Sequence, residues 1–403
     1  MTSRTHSELI VRFVRRRFDR RALALALLLS GTASVCYAGP DERAQAFRIH
    51  NRLAGVPPSE SVLTDMENDI VGGNALVAAR TATSDKHFYT VTLKNFAAPW
   101  SNREQSVFVP LNDYTTLVIG MVRDGVPFTE ILSADLLYVR AGAALPSASS
   151  NAHYEALEQA MLQPSFNPQT DLVATTQSAA YGIPGNATAG AMTTRAAAEA
   201  FFIAGTNRAM FRFTLMNHMC TDLEGVHDTT IVPDRIRQDV SRSPGGDSRV
   251  FMNNCIGCHA GMDPLAQAFA HYNFDETLGR LLYSPGAVVS KYFNNDTTFE
   301  DGFVTPDDSW SNYWRQGQNA SLGWNSSLAG NGAGAKSFGE ELAGSDAFAQ
   351  CQVTKVFRAV CLRSPVDQTD RTQIAAMTAN FRAANAYDLR EVFAESAVYC
   401  MDE

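Results

Sequence analysis

The chain has 403 residues, 45% of them hydrophobic and 19% charged, long and apolar enough for two or three packed domains and unlike a disordered tail. Its 33 basic against 42 acidic side chains, a formal net charge of −9, argue against nucleic acid as a partner, because phosphate binding draws on an excess of Lys and Arg.

The first residues read as a targeting segment. Arg12, Arg15, Arg16, Arg17, Arg20 and Arg21 form a basic opening, and residues 22–29 form an apolar run too short to span a bilayer. Cys36-Tyr37-Ala38 offers small residues for cleavage, so residues 1–38 are expected to be a signal peptide and Gly39 the mature N-terminus. A lipoprotein box ending at Cys36 is the alternative, although Val35 is bulky for the position before a lipidated cysteine. Arg15-Arg16-Arg17-Phe18 partly resembles a twin-arginine signal. The expected address is a bacterial periplasm, with the cell surface as the lesser option. Loss of residues 1–38 leaves 26 basic and 40 acidic side chains, a net charge of −14. That acidity fits docking to a basic patch on a redox protein partner, and equally fits solubility alone. No later apolar run approaches the length of a transmembrane helix.

Residues 39–145 read as an N-terminal helical domain. Phe47, Ile49, His50 and Leu53 crowd one helical face, Gly55 and Pro57-Pro58 end it, and Ser59 caps the next helix, which carries Val62, Leu63, Met66 and Ile70. Phe88, Tyr89, Phe96 and Trp100 make an aromatic cluster of the kind found in cores. Residues 146–192 turn to Ala, Ser, Thr, Gly, Asn and Pro, the composition of an irregular linker.

Helical periodicity resumes in the region 193–285, with Phe201, Phe202, Phe213 and Met216 among the expected core residues. Here stands Cys255-x-x-Cys258-His259, the c-type haem attachment motif: two thiols for thioether bonds to one haem and an adjacent imidazole as axial iron ligand. The competing uses of this spacing are a zinc site, which wants a second ligand pair at tight spacing, and a thioredoxin-like redox pair, which wants a βαβ context. The expectation is one covalent haem c per chain, held by Cys255, Cys258 and His259 with His259 as metal ligand. Met262, three residues on, reads as packing. His271, Met252, Met377, Met401, His218 and Met219 are unranked candidates for the sixth ligand. Asp263-Pro264 has the form of an N-cap and first helical residue, predicting a new helix there.

Residues 286–345 are rich in Asn, Asp, Ser and Gly, with Trp310, Trp314 and Trp324 as anchors, and predict loops, above all around Ala329 to Gly334. Residues 346–403 predict three antiparallel helices opened by Asp346, Asp370 and Asp388. Four mature cysteines stand outside the motif, an even number suited to two disulfides in an oxidising compartment. In an up-down-up bundle the last residues of the first and third helices share one end, which brings Cys361 to Cys400 and leaves Cys351 for Cys220.

Several of these stretches resemble one family. Cys255-x-x-Cys258-His259-x-x-Met262-Asp263-Pro264-Leu265, followed by Ala268-Phe269-x-x-Tyr272-Asn273-Phe274-Asp275 and Gly279-Arg280, resembles the haem region of the large planctomycete-type c cytochromes, whose C-terminal halves are domains of unknown function. The tail from Phe348 to Phe357 and Tyr387-Asp388-Leu389-Arg390 is similar to the small helical domain that ends those proteins, and the arrangement from Phe128-Thr129-Glu130-Ile131-Leu132 to the end of the chain corresponds more loosely. Ala266 stands where the family usually has Gly. The resemblance implies a mostly helical, exported haem protein and no established reaction.

The fold class expected is therefore mainly α, a helical multi-segment protein with an embedded c-type haem site and a C-terminal three-helix unit. The expected function is single-electron transfer between periplasmic partners by a monohaem cytochrome. The alternatives are a haem enzyme, peroxidase-like or oxygen-activating, with an open sixth position, and a binding or assembly protein with a structural or sensory haem.

Overall fold

Capping side chains set the starts of six of the longer helices in the computed structural model, which describes residues 41–203, 207–238, 248–292, 294, 296–297 and 300–403. The expected signal segment and cleavage site lie outside the described residues. The helices of seven or more residues are α1 (Glu42–Ala54), α2 (Glu60–Val71), α3 (Ala75–Thr83), α4 (Asp113–Asp124), α5 (Ala152–Met161), α6 (Arg195–Phe201), α7 (Arg208–Met219), α8 (Ser248–Asn254), α9 (Ile256–Ala266), α10 (Gly334–Ala343), α11 (Asp346–Cys361), α12 (Gln368–Arg382) and α13 (Leu389–Tyr399). The side chains of Ser59, Asn112, Thr194, Ser345, Asp367 and Asp388 each accept a backbone N–H two or three residues on, at the starts of α2, α4, α6, α11, α12 and α13. Each satisfies a donor that the first helical turn leaves without a partner.

Strands are few and short. Three antiparallel pairs join β1 (Leu137–Arg140) to β2 (Leu172–Thr175), β3 (Tyr272–Asp275) to β4 (Arg280–Tyr283), and β5 (Ser309–Ser311) to β6 (Asn331–Ala333). Among the described residues they leave a mainly helical, multi-segment fold.

Residues Glu42–Glu403 form one compact unit. α11, α12 and α13 pack on one another as the C-terminal helical unit, and α1 and α3 lie against α13. Both expected disulfides are present: Cys361–Cys400 closes α11 onto the end of α13, and Cys220–Cys351 ties the end of α7 to α11, with Cα separations of 5.6 and 5.3 Å. Cys220 follows α7 in the left-handed region at φ 52°, which turns the chain and its sulfur toward α11.

In the stretch 146–192, α5 and β2 are formed, and Ile183, Ala187, Ala189, Ala191 and Met192 are buried. Small residues are needed there because the backbone approaches another backbone: a Cβ on Gly190, which has φ 53°, would lie 2.1 Å from the carbonyl oxygen of Ile131. α4 is buried nearly all round. Its Asp113 accepts from the backbone N–H groups of Arg195 and Ala196 and from Tyr181 Oη at 2.5, 3.0 and 2.9 Å, so a carboxylate of one helix caps the N-terminus of another. Burial nevertheless raises the Asp113 pKa above the ordinary carboxylate value.

α7 links the C-terminal unit to the rest, since it packs on both α11 and α9. Near its C-terminal end the carbonyl of Asn217 accepts from Lys355 Nζ at 2.6 Å, and that ammonium lies 3.1 Å from the centre of the Trp100 ring. A cation at a helix C-terminus and over an indole face is favoured twice, while burial holds the Lys355 pKa well below its ordinary value.

A candidate dithiol site at the start of α9

The motif residues lie at the beginning of α9, where Cys255 is the N-cap and Cys258 sits in the first turn. The i, i+3 spacing places the two side chains as neighbours on one side of the helix. Both are half-buried free thiols. Cys258 Sγ lies 3.6 Å from the Leu223 carbonyl oxygen, and its pKa is raised by burial and by the nearby acids Glu224 and Asp222.

His259 follows on the same helix and donates from Nδ1 to both oxygens of Asp263, one turn later, at 3.1 Å. That contact fixes the ring through Nδ1. Phe251 packs at a steep angle against the same ring, with centroids 5.4 Å apart. Asp263 in turn accepts two hydrogen bonds from the guanidinium of Arg208, the first residue of α7, at 3.1 and 3.2 Å. Burial of Asp263 opposes its ionisation, but the positive charge of Arg208 and its contact with His259 hold the carboxyl far below the ordinary range. Asp263 is thus not the N-cap that Asp263-Pro264 suggests. The helix begins seven residues earlier and runs through Pro264 to Ala266.

Two glycines on one face let α9 come close to its surroundings. A Cβ on Gly257 would lie 2.1 Å from Nε2 of His227, and one on Gly261 would lie 1.9 Å from Nε1 of Trp314. His227 is exposed and can swing away, whereas Trp314 is fully buried. We therefore expect Gly261→Ala to cost about 1–3 kcal/mol through overpacking, and Gly257→Ala to cost much less. Denaturation midpoints of the two variants check the difference, and equal losses would mean that Trp314 yields as readily as His227.

No family model, curated protein or solved structure matches the chain. This finding and the geometry correct the sequence reading. Membership of the planctomycete-type cytochromes has no match to support it. Among the described residues no group of three or more His, Cys, Asp and Glu side chains is placed to hold a metal ion. Two of the cysteine pairs carry disulfides, and Cys255 and Cys258 stand as free thiols. The embedded haem site, the covalent haem c with His259 as iron ligand, and the cytochrome, haem-enzyme and haem-sensor functions built on it are therefore withdrawn. The physical reason is that Cys-x-x-Cys-His fixes only a spacing, and a dithiol at a helix start satisfies the same spacing. A mainly helical, multi-segment fold with a C-terminal helical unit and two disulfides stands.

The residues considered as sixth ligands have other surroundings. His218 is buried, accepts or donates at 2.7 Å with Tyr114 Oη, and packs among Trp100, Tyr114 and Phe348. Its pKa is well below the ordinary value because burial disfavours the cation. His271 is buried with Nδ1 3.1 Å from Asp308. Met219 and Met377 are core residues, Met252 is exposed, and Met401 is half-buried against the core. Met262 is buried in the core, as its proximity to the motif suggests.

Two contacts of this site are not foreseen in the sequence: Asp263 as the partner of His259, and Arg208 as the partner of Asp263. A signal was available in part: His and Asp at i, i+4 on one helix are placed to pair. The Arg208 contact is long-range and has no local signature.

No helix among the described residues is long and apolar enough to cross a membrane.

Proposed function

We propose that Cys255 and Cys258 form a redox-active dithiol in an exported protein, and that it exchanges two electrons with a disulfide of a protein partner. The observation that supports this reading is the pair of unpaired thiols one helical turn apart, in a chain whose other described cysteines are already joined. The basic opening, the apolar run of residues 22–29 and Cys36-Tyr37-Ala38 support export to the periplasm. The acidic balance of the mature chain supports a partner with a basic docking patch.

In the exchange one sulfur attacks the partner disulfide as a thiolate, forms a mixed disulfide and releases the partner's first thiol. The second sulfur then attacks the mixed disulfide, closing Cys255–Cys258 and releasing the second thiol. Two electrons and two protons pass to the partner. Burial and the nearby Glu224 and Asp222 disfavour the Cys258 thiolate, which supports Cys258 as the sulfur of the second step. His259 follows Cys258 on the helix and is held by Asp263.

The test is equilibration of the purified mature protein in glutathione buffers, followed by alkylation and mass mapping. The expected result is reversible loss of two hydrogens confined to the peptide containing Cys255 and Cys258, and a trapped glutathione adduct in Cys258→Ser. A covalent group on that peptide in the protein as isolated, or thiols that no disulfide buffer oxidises, would overturn the reading. Intact mass also reports the mature N-terminus, expected at Gly39.

A further inference from the structure

The two sulfurs of the dithiol stand in different surroundings. Cys255 packs against the small apolar cluster of Phe251, Ile256 and Ala260. Cys258 meets a 3-10 turn, Leu223–Val226, which packs on α9 and brings the Leu223 carbonyl oxygen 3.6 Å from its sulfur. Two acids flank that carbonyl in sequence, Asp222 and Glu224. After burial, Glu224 and then Asp222 are what most disfavour a thiolate at Cys258.

The two acids differ in what holds them. The Asp222 carboxylate accepts from the Leu223 backbone N–H at 2.7 Å and from the guanidinium of Arg212 at 2.7 and 2.6 Å. Glu224 is exposed, and its carboxylate has no hydrogen bond or ion pair among the described residues. Arg212, which also lies within the field of Glu224, is already held by Asp222. A carboxylate without a counter-ion, one residue from a carbonyl in contact with the thiol, repels a thiolate and any anion that approaches it. A cation paired with that carboxylate cancels the repulsion.

We propose that Glu224 selects the partner of the dithiol: a disulfide flanked by a cationic side chain, Lys or Arg, whose charge pairs with the Glu224 carboxylate while the sulfurs exchange. The inference rests on the dithiol reading of Cys255 and Cys258 and names the substrate class of that site. In the mixed disulfide between Cys255 and the partner, the pairing removes the repulsion that keeps Cys258 protonated. The Cys258 proton leaves to solvent, its sulfur attacks the Cys255 sulfur, and the partner's second sulfur departs as a thiolate and takes up a proton. A disulfide flanked by acids meets the opposite field at both steps.

The experiment follows oxidation of Cys255 and Cys258 in the purified mature protein by three small disulfides: cystamine, which is cationic, 2-hydroxyethyl disulfide, which is neutral, and dithiodiglycolate, which is anionic. Each rate is divided by the rate of the same disulfide with dithiothreitol, which removes differences between the leaving groups. At low ionic strength the normalised rates are expected to fall in that order, cystamine exceeding dithiodiglycolate by at least about fivefold. They should converge in about 1 M salt, where charges are screened within about 3 Å. Glu224→Gln, a change at an exposed side chain, is expected to narrow the cystamine to dithiodiglycolate ratio at least about twofold. Equal normalised rates for the three probes would overturn the inference and leave the dithiol reading standing. So would a ratio unchanged by salt, or unchanged in Glu224→Gln. Oxidation by none of the three would overturn the dithiol reading itself, and this inference with it.

Discussion

Replacing Asp263 by Asn is expected to destabilise the protein by about 3 kcal/mol at neutral pH, in the range for breaking a buried ion pair by removing one partner. The carboxylate side chain is 4% exposed and holds both Arg208, 30% exposed, and His259, 22% exposed. Partial exposure of those two partners places the loss at the lower end of that range. Asn keeps the shape, so packing changes little. What is lost is the charge that two donors on different helices share. Denaturant midpoints of wild type and variant measure the difference, and a change below about 1 kcal/mol would show that the pair behaves as a surface contact.

The same carboxylate gives a pH signature. Its folded pKa is held far below the ordinary value, so it contributes stability that is complete above the unfolded carboxylate pKa, near 4. That contribution is lost as pH falls from there toward the folded pKa. The gap between wild type and Asp263→Asn should therefore be constant from about pH 5 to 7 and shrink below about pH 4. A gap that persists unchanged at pH 2 would mean that packing, not charge, distinguishes the two proteins.

Local signals in the sequence located much of the helical fold. Ser59 and Asp388 are the N-caps their positions suggest, because a capping side chain acts on a backbone group two or three residues away. Displacements were equally local. Ser345 and Asp367, not Asp346 and Asp370, cap α11 and α12, and the carboxylate of Asp370 turns back to Arg363. Around Gly334 the composition predicts loops, yet α10 begins there: its Ala335, Phe338 and Leu342 recur at helical spacing, and the glycines mask that period. The close approaches of Gly190, Gly257 and Gly261 are invisible to any reading of one segment, since the group each accommodates comes from elsewhere in the chain.

The site was legible as a spacing and illegible as a chemistry. Cys255, Cys258 and His259 do converge at one helix start, as three residues within five positions must. The identity of what they serve depends also on Asp263, one turn from His259 on the same helix, and on Arg208 and His227, which only tertiary packing brings to α9.

The two disulfides are expected to differ in what they protect, although each is worth about 2–4 kcal/mol. Cys361–Cys400 closes a separation of 39 residues within the C-terminal helical unit, whereas Cys220–Cys351 closes one of 131 residues between elements distant in sequence. Loop closure alone favours the longer bridge by under about 2 kcal/mol. The structure adds a second difference. Cys220 caps the end of α7, and Arg208 begins the same helix and grips Asp263. Releasing Cys220 should let α7 shift against α9 and weaken that grip. In a double-mutant cycle, Cys220→Ser/Cys351→Ser combined with Asp263→Asn is therefore expected to fall short of additivity by about 0.5–1 kcal/mol, as for coupled neighbours. Cys361→Ser/Cys400→Ser combined with Asp263→Asn should be additive within about 0.5 kcal/mol. Additivity in both cycles would show that α7 holds its place through packing on α11 and Lys355 alone, with the bridge acting only on the unfolded chain.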